Sequence, residues 1–213
     1  VRACLKEVGI KAGLEIHHQG DLPARSGMGS SSAFTVGLLK GLAALRGRMV
    51  SKVDLAQAAV EMEQRVLKET VGVQDQYAAA FGGLNVYRFT KHAVSVERVP
   101  LTLERRAELQ ARLRLYYIGP RPDGMTGSSI AAGYAPKPYH LRTMTAMVDT
   151  GVGILTGAGP LDAFGALLHD AWMLKKELGA VTDDRIDAAY SAAQAAGALG
   201  GKAPGAGQGG CLL

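Results

Sequence analysis

Residues 23–32 read Pro-Ala-Arg-Ser-Gly-Met-Gly-Ser-Ser-Ser, two glycines and three consecutive hydroxyls placed directly before a long apolar run. Glycines let successive backbone N–H groups converge, and a helix starting behind them adds unpaired donors and the positive end of its dipole. Such a loop suits a polyphosphate, and one of its hydroxyls can ligate Mg2+. No lysine follows the second glycine, so this is not a Walker loop, and the third glycine of a dinucleotide fingerprint would fall at Ser32. A flexible connector with a serine cap is the competing reading; the continuous apolar helix behind the loop argues for phosphate.

Two carboxylates stand out further along. In the helical pattern of Val50 to Leu67, Gln57, Glu61, Gln64 and Lys68 share a wet face, and Ala56, Ala59, Val60, Glu63 and Leu67 form the opposite stripe. Glu63 therefore sits where an apolar side chain is expected, and a buried carboxylate requires a cation or a strong donor. Arg65 or Lys68 would supply an ordinary ion pair; a metal would supply a functional one. Asp75 follows in Val-Gln-Asp-Gln-Tyr, ahead of Tyr-Ala-Ala-Ala-Phe-Gly-Gly, where a helix N-cap is its plain structural role. Beside a phosphate loop, a metal-binding carboxylate and a second carboxylate are what phosphoryl transfer needs. A late glycine run, Gly200 to Gly210, is a second place where backbone can approach a ligand closely.

The elements that must position these groups follow from periodicity. The chain opens on an amphipathic helix closed by Gly9, and Leu-Glu-Ile-His-His-Gln-Gly (14–20) alternates as a strand does. A helix begins after the serines, and a second runs from Val50 to Leu67 with Ser51 as its cap. Phe81 to Phe89 and Ala93 to Val99 pair as strands, and Leu113 to Gly119 is another. From Pro138 onward three helices are expected, followed by the glycine run and a final apolar strand. Strands thus dominate the first half and helices the second, which gives an α+β chain of two lobes. A strand left unpaired at the end and a helix cut at the start lead us to expect a piece of a longer protein, incomplete at both ends.

Composition narrows the classes. At 213 residues, 47% hydrophobic and 20% charged, the chain can bury a core and is not a disordered tail. Its net charge is +5, yet the basic residues are scattered and aromatics are 6%, which does not favour nucleic acid. Arg105 to Arg114 alternates with Glu104, Glu108 and leucines and reads as a solvated helix or strand edge. No apolar run reaches the ~20 residues of a membrane span. Cys4 and Cys211 lie at opposite ends without local partners, which fits a reducing, cytoplasmic setting.

In this order the elements resemble the superfamily of galactokinase, homoserine, mevalonate and phosphomevalonate kinases, the GHMP kinases. Its nucleotide loop, Pro-x-x-x-Gly-(Leu/Met)-Gly-Ser-Ser-(Ala/Ser), is matched by Pro23 to Ser32, and its late loop, Gly-x-x-x-Gly-Ala-Gly-x-Gly-Gly, by Gly201 to Gly210. Within it, residues 74–89, 167–187 and 196–210 look most like heptose 7-phosphate kinases. The resemblance implies a two-lobed fold, with a nucleotide-binding lobe of ribosomal-protein-S5-like type over residues 1–100 and a ferredoxin-like α/β lobe over 101–213. It implies that Pro23, Ala24, Arg25, Ser26, Gly27, Met28, Gly29, Ser30, Ser31 and Ser32 hold the phosphates of ATP, with Ser31 and Glu63 as Mg2+ ligands. Asp75 would accept or orient the proton of the sugar hydroxyl, and Gly72, Gln74, Gly205, Ala206 and Gly207 would line substrate and phosphate.

The implied reaction moves the γ-phosphoryl of ATP to the anomeric hydroxyl of D-glycero-D-manno-heptose 7-phosphate, with Arg25, Lys137 and Arg142 as candidate contacts for the 7-phosphate. The implied partners are ATP and a sugar or sugar phosphate, without nucleic acid or membrane, and a homodimer is compatible with them. A kinase of the same superfamily for fucose or galactose, or a nucleotide-binding relative without catalysis, are the alternatives.

Overall fold

Two sets of residues pack chiefly within themselves: Val1–Ala24 with Gly29–Gly83, and Arg25–Met28 with Leu84–Leu213. The computed structural model describes residues 1–11, 13–21, 26–123 and 125–213.

The first unit is helical among its described residues. Helix α1 (Arg2–Val8) stops at Gly9, whose φ of 72° is the left-handed conformation that ends a helix most cheaply in glycine. Helix α2 (Ser30–Leu45) follows the serine loop. Helix α3 (Lys52–Glu61) is capped as expected, Ser51 Oγ accepting the Asp54 amide at 3.1 Å. The expected helix to Leu67 does not continue in α form: Met62–Val66 widens into a π turn, closed by the Leu67 N–H donating to Met62 O at 2.9 Å. The extra residue in that turn carries Met62 and Glu63 inward together and turns Leu67 out to 44% exposure, off the stripe on which α periodicity places it. Helix α4 (Gln74–Phe81) completes the unit. Cys4, Val36, Leu39, Leu42, Leu55, Ala59 and Met62 form its core.

Residues 14–20 are not a strand. They are exposed throughout, and Glu15 pairs with its neighbour His17 at the surface. Alternation alone does not make a strand where no second strand accepts its backbone.

The second unit carries the strands. β1 (Asn85–Phe89) and β2 (Val94–Arg98) form an antiparallel hairpin with Tyr87 opposite Val96. β3 (Tyr116–Gly119) pairs antiparallel with β4 (Gly210–Leu212), so the final apolar strand does have a partner. Among the described residues, five helices accompany them: α5 (Leu103–Arg112), α6 (Gly127–Ala132), α7 (Pro138–Thr156), α8 (Asp162–Lys176) and α9 (Asp184–Ala195). One core gathers Trp172, Val181, Ile186, Tyr190, Ala203 and Leu212. Another gathers Val99, Leu155 and Leu161, with Val86 of the hairpin packed on it. That packing places the hairpin in the second unit, which takes in Leu84–Leu213. Strands therefore do not dominate the first half of the chain; helices run through both halves.

Arg105 of α5 is not solvated as its charged neighbours suggest. Its Nη2 donates to the carbonyls of Ile154 and Gly159 at 2.8 Å each, and Nε to Leu155 O at 3.2 Å, which satisfies two carbonyls left free at the end of α7 and one in the loop after it.

The late glycines are demanded by backbone packing. A Cβ on Gly207, whose φ is +100°, would lie 2.2 Å from Val181 O, and one on Gly210 would lie 2.2 Å from Ser26 O. No alanine fits there without moving main chain. Gly207→Ala should therefore lower unfolding stability by ~2 kcal/mol or more in urea titrations, whereas Gly153→Ala, in an open stretch of α7, should be neutral or stabilising.

Candidate functional site

The first turn of α2 is the natural starting point. Gly29, at φ +69°, precedes Ser30, Ser31 and Ser32, whose amides have no acceptor within the helix. Ser30 and Ser31 are exposed and Ser32 is buried. The side chain of Ser32 points back into the unit, its Oγ donating to Glu63 Oε2 at 2.9 Å.

Glu63 is 1% exposed, as its helical phase requires, but neither suspected cation meets it. Arg65 pairs with Glu61 at 2.7 Å and approaches Glu7 at 3.7 Å, and Lys68 is exposed. Gln76 supplies the second donor, its Nε2 binding Glu63 Oε2. Glu63 Oε1 and Gln76 Oε1 are buried without a hydrogen-bond partner among the described residues. An anionic oxygen left so is costly, ~1–3 kcal/mol or more, unless something positive reaches it. The same carboxylate, after burial, helps push the Cys4 thiol pKa upward.

Asp75 is not an N-cap, since that position belongs to Val73 and Asp75 is the second residue of α4. A Cβ placed on Gly29 would lie 3.1 Å from the Asp75 carboxyl carbon and Oδ2, so the carboxylate rests against the glycine that opens α2. Consecutive side chains of α4 thus do different work: Asp75 reaches Gly29, and Gln76 reaches Glu63. Both carboxylates converge on the start of α2. Mg2+ bound with a nucleotide takes only one or two protein oxygens, and the orphaned Glu63 Oε1 fits one of them. The hydroxyl that meets Glu63 is that of Ser32, whereas the expected partner, Ser31, has its side chain exposed.

Pro23, Ala24 and Arg25 lie outside the described residues. Gly72 is exposed with open space around its Cα, and Gln74, also exposed, is the first residue of α4.

Ser26, Gly27 and Met28 belong with the second unit. There the Gly205–Gly207 turn is held by three side chains that sequence reasoning missed. Arg121 Nε donates to Gly207 O at 2.9 Å, and its guanidinium lies so close to Gly27 that a Cβ there would be 3.2 Å from Nη2. Tyr134 Oη donates to Ala206 O at 2.6 Å. Lys175 Nζ donates to Ala203 O at 3.0 Å and Gly205 O at 2.6 Å. Lys175 could have been found as Glu63 was: with Leu168 and Trp172 it occupies the inward stripe of α8. Lys137 and Arg142, at the start of α7, are exposed.

The family model for the GHMP kinases N terminal domain matches residues 1–83, and that for the GHMP kinases C terminal matches 147–213. A D-glycero-alpha-D-manno-heptose 7-phosphate kinase of Campylobacter jejuni is 31% identical over 204 residues, 93% of this chain and 60% of that protein. The crystal structure of a D-glycero-D-manno-heptose 1-phosphate kinase from Bacteriodes thetaiotaomicron superposes with a TM-score of 0.67 at 27% identity, covering 91% of this chain and 54% of that one. A mevalonate kinase structure reaches a TM-score of 0.72 at 18% identity over 99% of this chain and 64% of its own, a likeness of fold alone. The chain therefore spans about 60% of the length of the first curated relatives it matches. No helix among the described residues is long and apolar enough to cross a membrane.

The two donors on Glu63 make a test of the first unit's construction. Gln76→Ala should cost ~1–3 kcal/mol of unfolding stability, because it strips a donor from a buried carboxylate. Gln57→Ala, at an exposed position of α3, should change it by less than ~0.5 kcal/mol in the same denaturant series.

Proposed function

We infer, for a chain that belongs to the GHMP kinase family, the transfer of the γ-phosphoryl group of ATP to the anomeric C1 hydroxyl of D-glycero-D-manno-heptose 7-phosphate. The products are the 1,7-bisphosphate and ADP. The observation that carries this reading is the pair of carboxylates at the start of α2, Glu63 on Ser32 and Asp75 against Gly29.

Phosphoryl transfer asks little covalent chemistry of a protein; it asks for position and for charge opposite the phosphate oxygens. The free amides of Ser30, Ser31 and Ser32, at the positive end of a 16-residue helix, supply donors fixed before substrate arrives. Ser26, Gly27 and Met28, with Pro23, Ala24 and Arg25, belong to the same phosphate-binding sequence motif. Glu63 offers Oε1, and Ser31 or Ser32 a hydroxyl, to Mg2+, which supplies neutralisation of the phosphate charge when it is bound with ATP. Asp75 takes the proton of the acceptor hydroxyl as its oxygen bonds to phosphorus and the bond to the leaving ADP oxygen breaks. Exposed at the first turn of α4, Asp75 is free of the burial that would hinder that exchange. Gly72 and Gln74, which flank this turn, and the Gly205–Gly207 turn are the remaining substrate contacts.

The heptose is chosen on the 31% relative, and the two heptose kinases compared differ in the phosphate position their names carry. We place the existing phosphate at C7 and transfer at C1. Turnover on heptose 7-phosphate, with the product identified by phosphorus NMR, tests this against heptose 1-phosphate, galactose and fucose; preference for an unphosphorylated sugar would overturn the assignment.

Asp75→Asn should abolish turnover, a loss of ~10²-fold or more, while ATP affinity stays within a few-fold. Wild-type turnover in that variant would reduce Asp75 to a structural role. Glu63→Gln should raise the Mg2+ concentration needed for half-maximal activity, and an unchanged metal titration would remove Glu63 from the ligand set.

A further inference from the structure

Around its late glycine loop the second unit carries three buried or half-buried cations. Lys175 is 5% exposed and donates only to the carbonyls of Ala203 and Gly205, while its ring neighbour Trp172 lies 5.7 Å away. Lys202 is half-buried at the start of the same glycine loop. Arg121 reaches the loop at Gly207 and lies against Gly27. Among the described residues none of the three forms an ion pair. The contrast with the next residue is direct: Lys176 pairs with Asp187 at 2.8 Å. Three like charges collected around one loop are costly unless an anion joins them.

We propose that Lys175, Lys202 and Arg121 form a binding site for a phosphoryl dianion at the late glycine loop. Two sources share that chemistry, the phosphate monoester of a sugar phosphate and the phosphates of ATP. The assignment to a substrate rests on the kinase reading above; the anion site rests on these side chains alone.

Lys175 carries a second signature. Burial, and then repulsion from Lys202 and Arg121, lowers its pKa from the ordinary value to about 8. The groups that face it are Lys202 from the loop, Arg121 from the segment after β3, the Trp172 ring from α8, and the Tyr134 phenol on the neighbouring Ala206 carbonyl. None is an anion. A dianion bound there favours the charged amine and raises that pKa, so at pH 8 binding draws a fraction of a proton from solution. Affinity then falls as pH rises through about 8.

The test is calorimetric titration of the whole chain with inorganic phosphate, and with sulfate, which does not itself titrate near pH 8, in buffers of different ionisation enthalpy. Lys202→Met and Lys175→Met should each weaken binding about tenfold. Lys175→Met should also lose the proton uptake with sulfate, which a purely structural role would not move. Thermal melts check folding, and Lys202→Met stands in if Lys175→Met is unfolded. Competition names the source: displacement by heptose 7-phosphate and not by ATP assigns the acceptor, and the reverse assigns the nucleotide. Absence of saturable binding, equal binding in the variants, or an anion that neither substrate displaces overturns the proposal. A chain that binds through these lysines but transfers no phosphoryl group overturns the kinase reading and leaves this site standing. An active chain whose variants bind equally does the opposite.

Discussion

Burying a carboxylate requires that its lone pairs meet donors, because an uncompensated charge in a low-dielectric interior is among the largest penalties a fold can carry. Glu63 imposes that requirement on the whole first unit. Its Oε2 is reached from two directions, by Ser32 in the first turn of α2 and by Gln76 in the first turn of α4. The start of each helix is thereby tied to the π turn that carries Glu63. The π turn is part of the same constraint: with one extra residue it brings Glu63 beside Met62, under the helical core, instead of letting the α3 stripe continue to Leu67. Since Asp75 immediately precedes Gln76, fixing Gln76 on Glu63 also fixes Asp75 against Gly29. One buried charge thus positions the second, exposed one.

In the second unit, close main-chain approach plays the corresponding part. Gly207 lies under Val181 O and Gly210 under Ser26 O, each with a positive φ, so the loop can run between neighbouring backbones only because these residues have no side chain. The carbonyls that such a path exposes need donors, and Lys175, Arg121 and Tyr134 provide them from three different segments. A cation that stabilises a carbonyl-lined turn still keeps its charge. The grip on the loop and the demand for an anion therefore have one origin.

Periodicity made Glu63 legible, because a single carboxylate on an apolar stripe contradicts its surroundings. It did not reveal the hydroxyl partner: adjacent serines point in different directions from a helix start, and only the path of the chain through Gly29 decides that Ser32, not Ser31, turns inward. Lys175 sits on an apolar stripe just as Glu63 does, yet a lysine with a long apolar stem is ordinarily placed at the edge of a core with its amine in water. What buries its amine is the late loop, which lies 28 residues or more away in sequence and has no periodicity from which a path could be read. Residues 14–20 show the opposite failure, with a clear period and no partner strand among the described residues; strand formation is a property of pairs, so pattern in one segment does not decide it.

The two units solve unlike electrostatic problems with the same chain. In the first, backbone amides and carboxylates are set at a helix start, where their directions are fixed by geometry. In the second, formal positive charges are collected on a glycine loop, and burial, then repulsion from Lys202 and Arg121, lowers the pKa of Lys175 to about 8. Amides alone are weak ligands for a highly charged phosphate, whereas lysines hold it strongly and give little direction. The net charge of +5 looks scattered when read along the sequence. Three of its contributors, buried Lys175 and half-buried Lys202 and Arg121, nevertheless meet around a single loop.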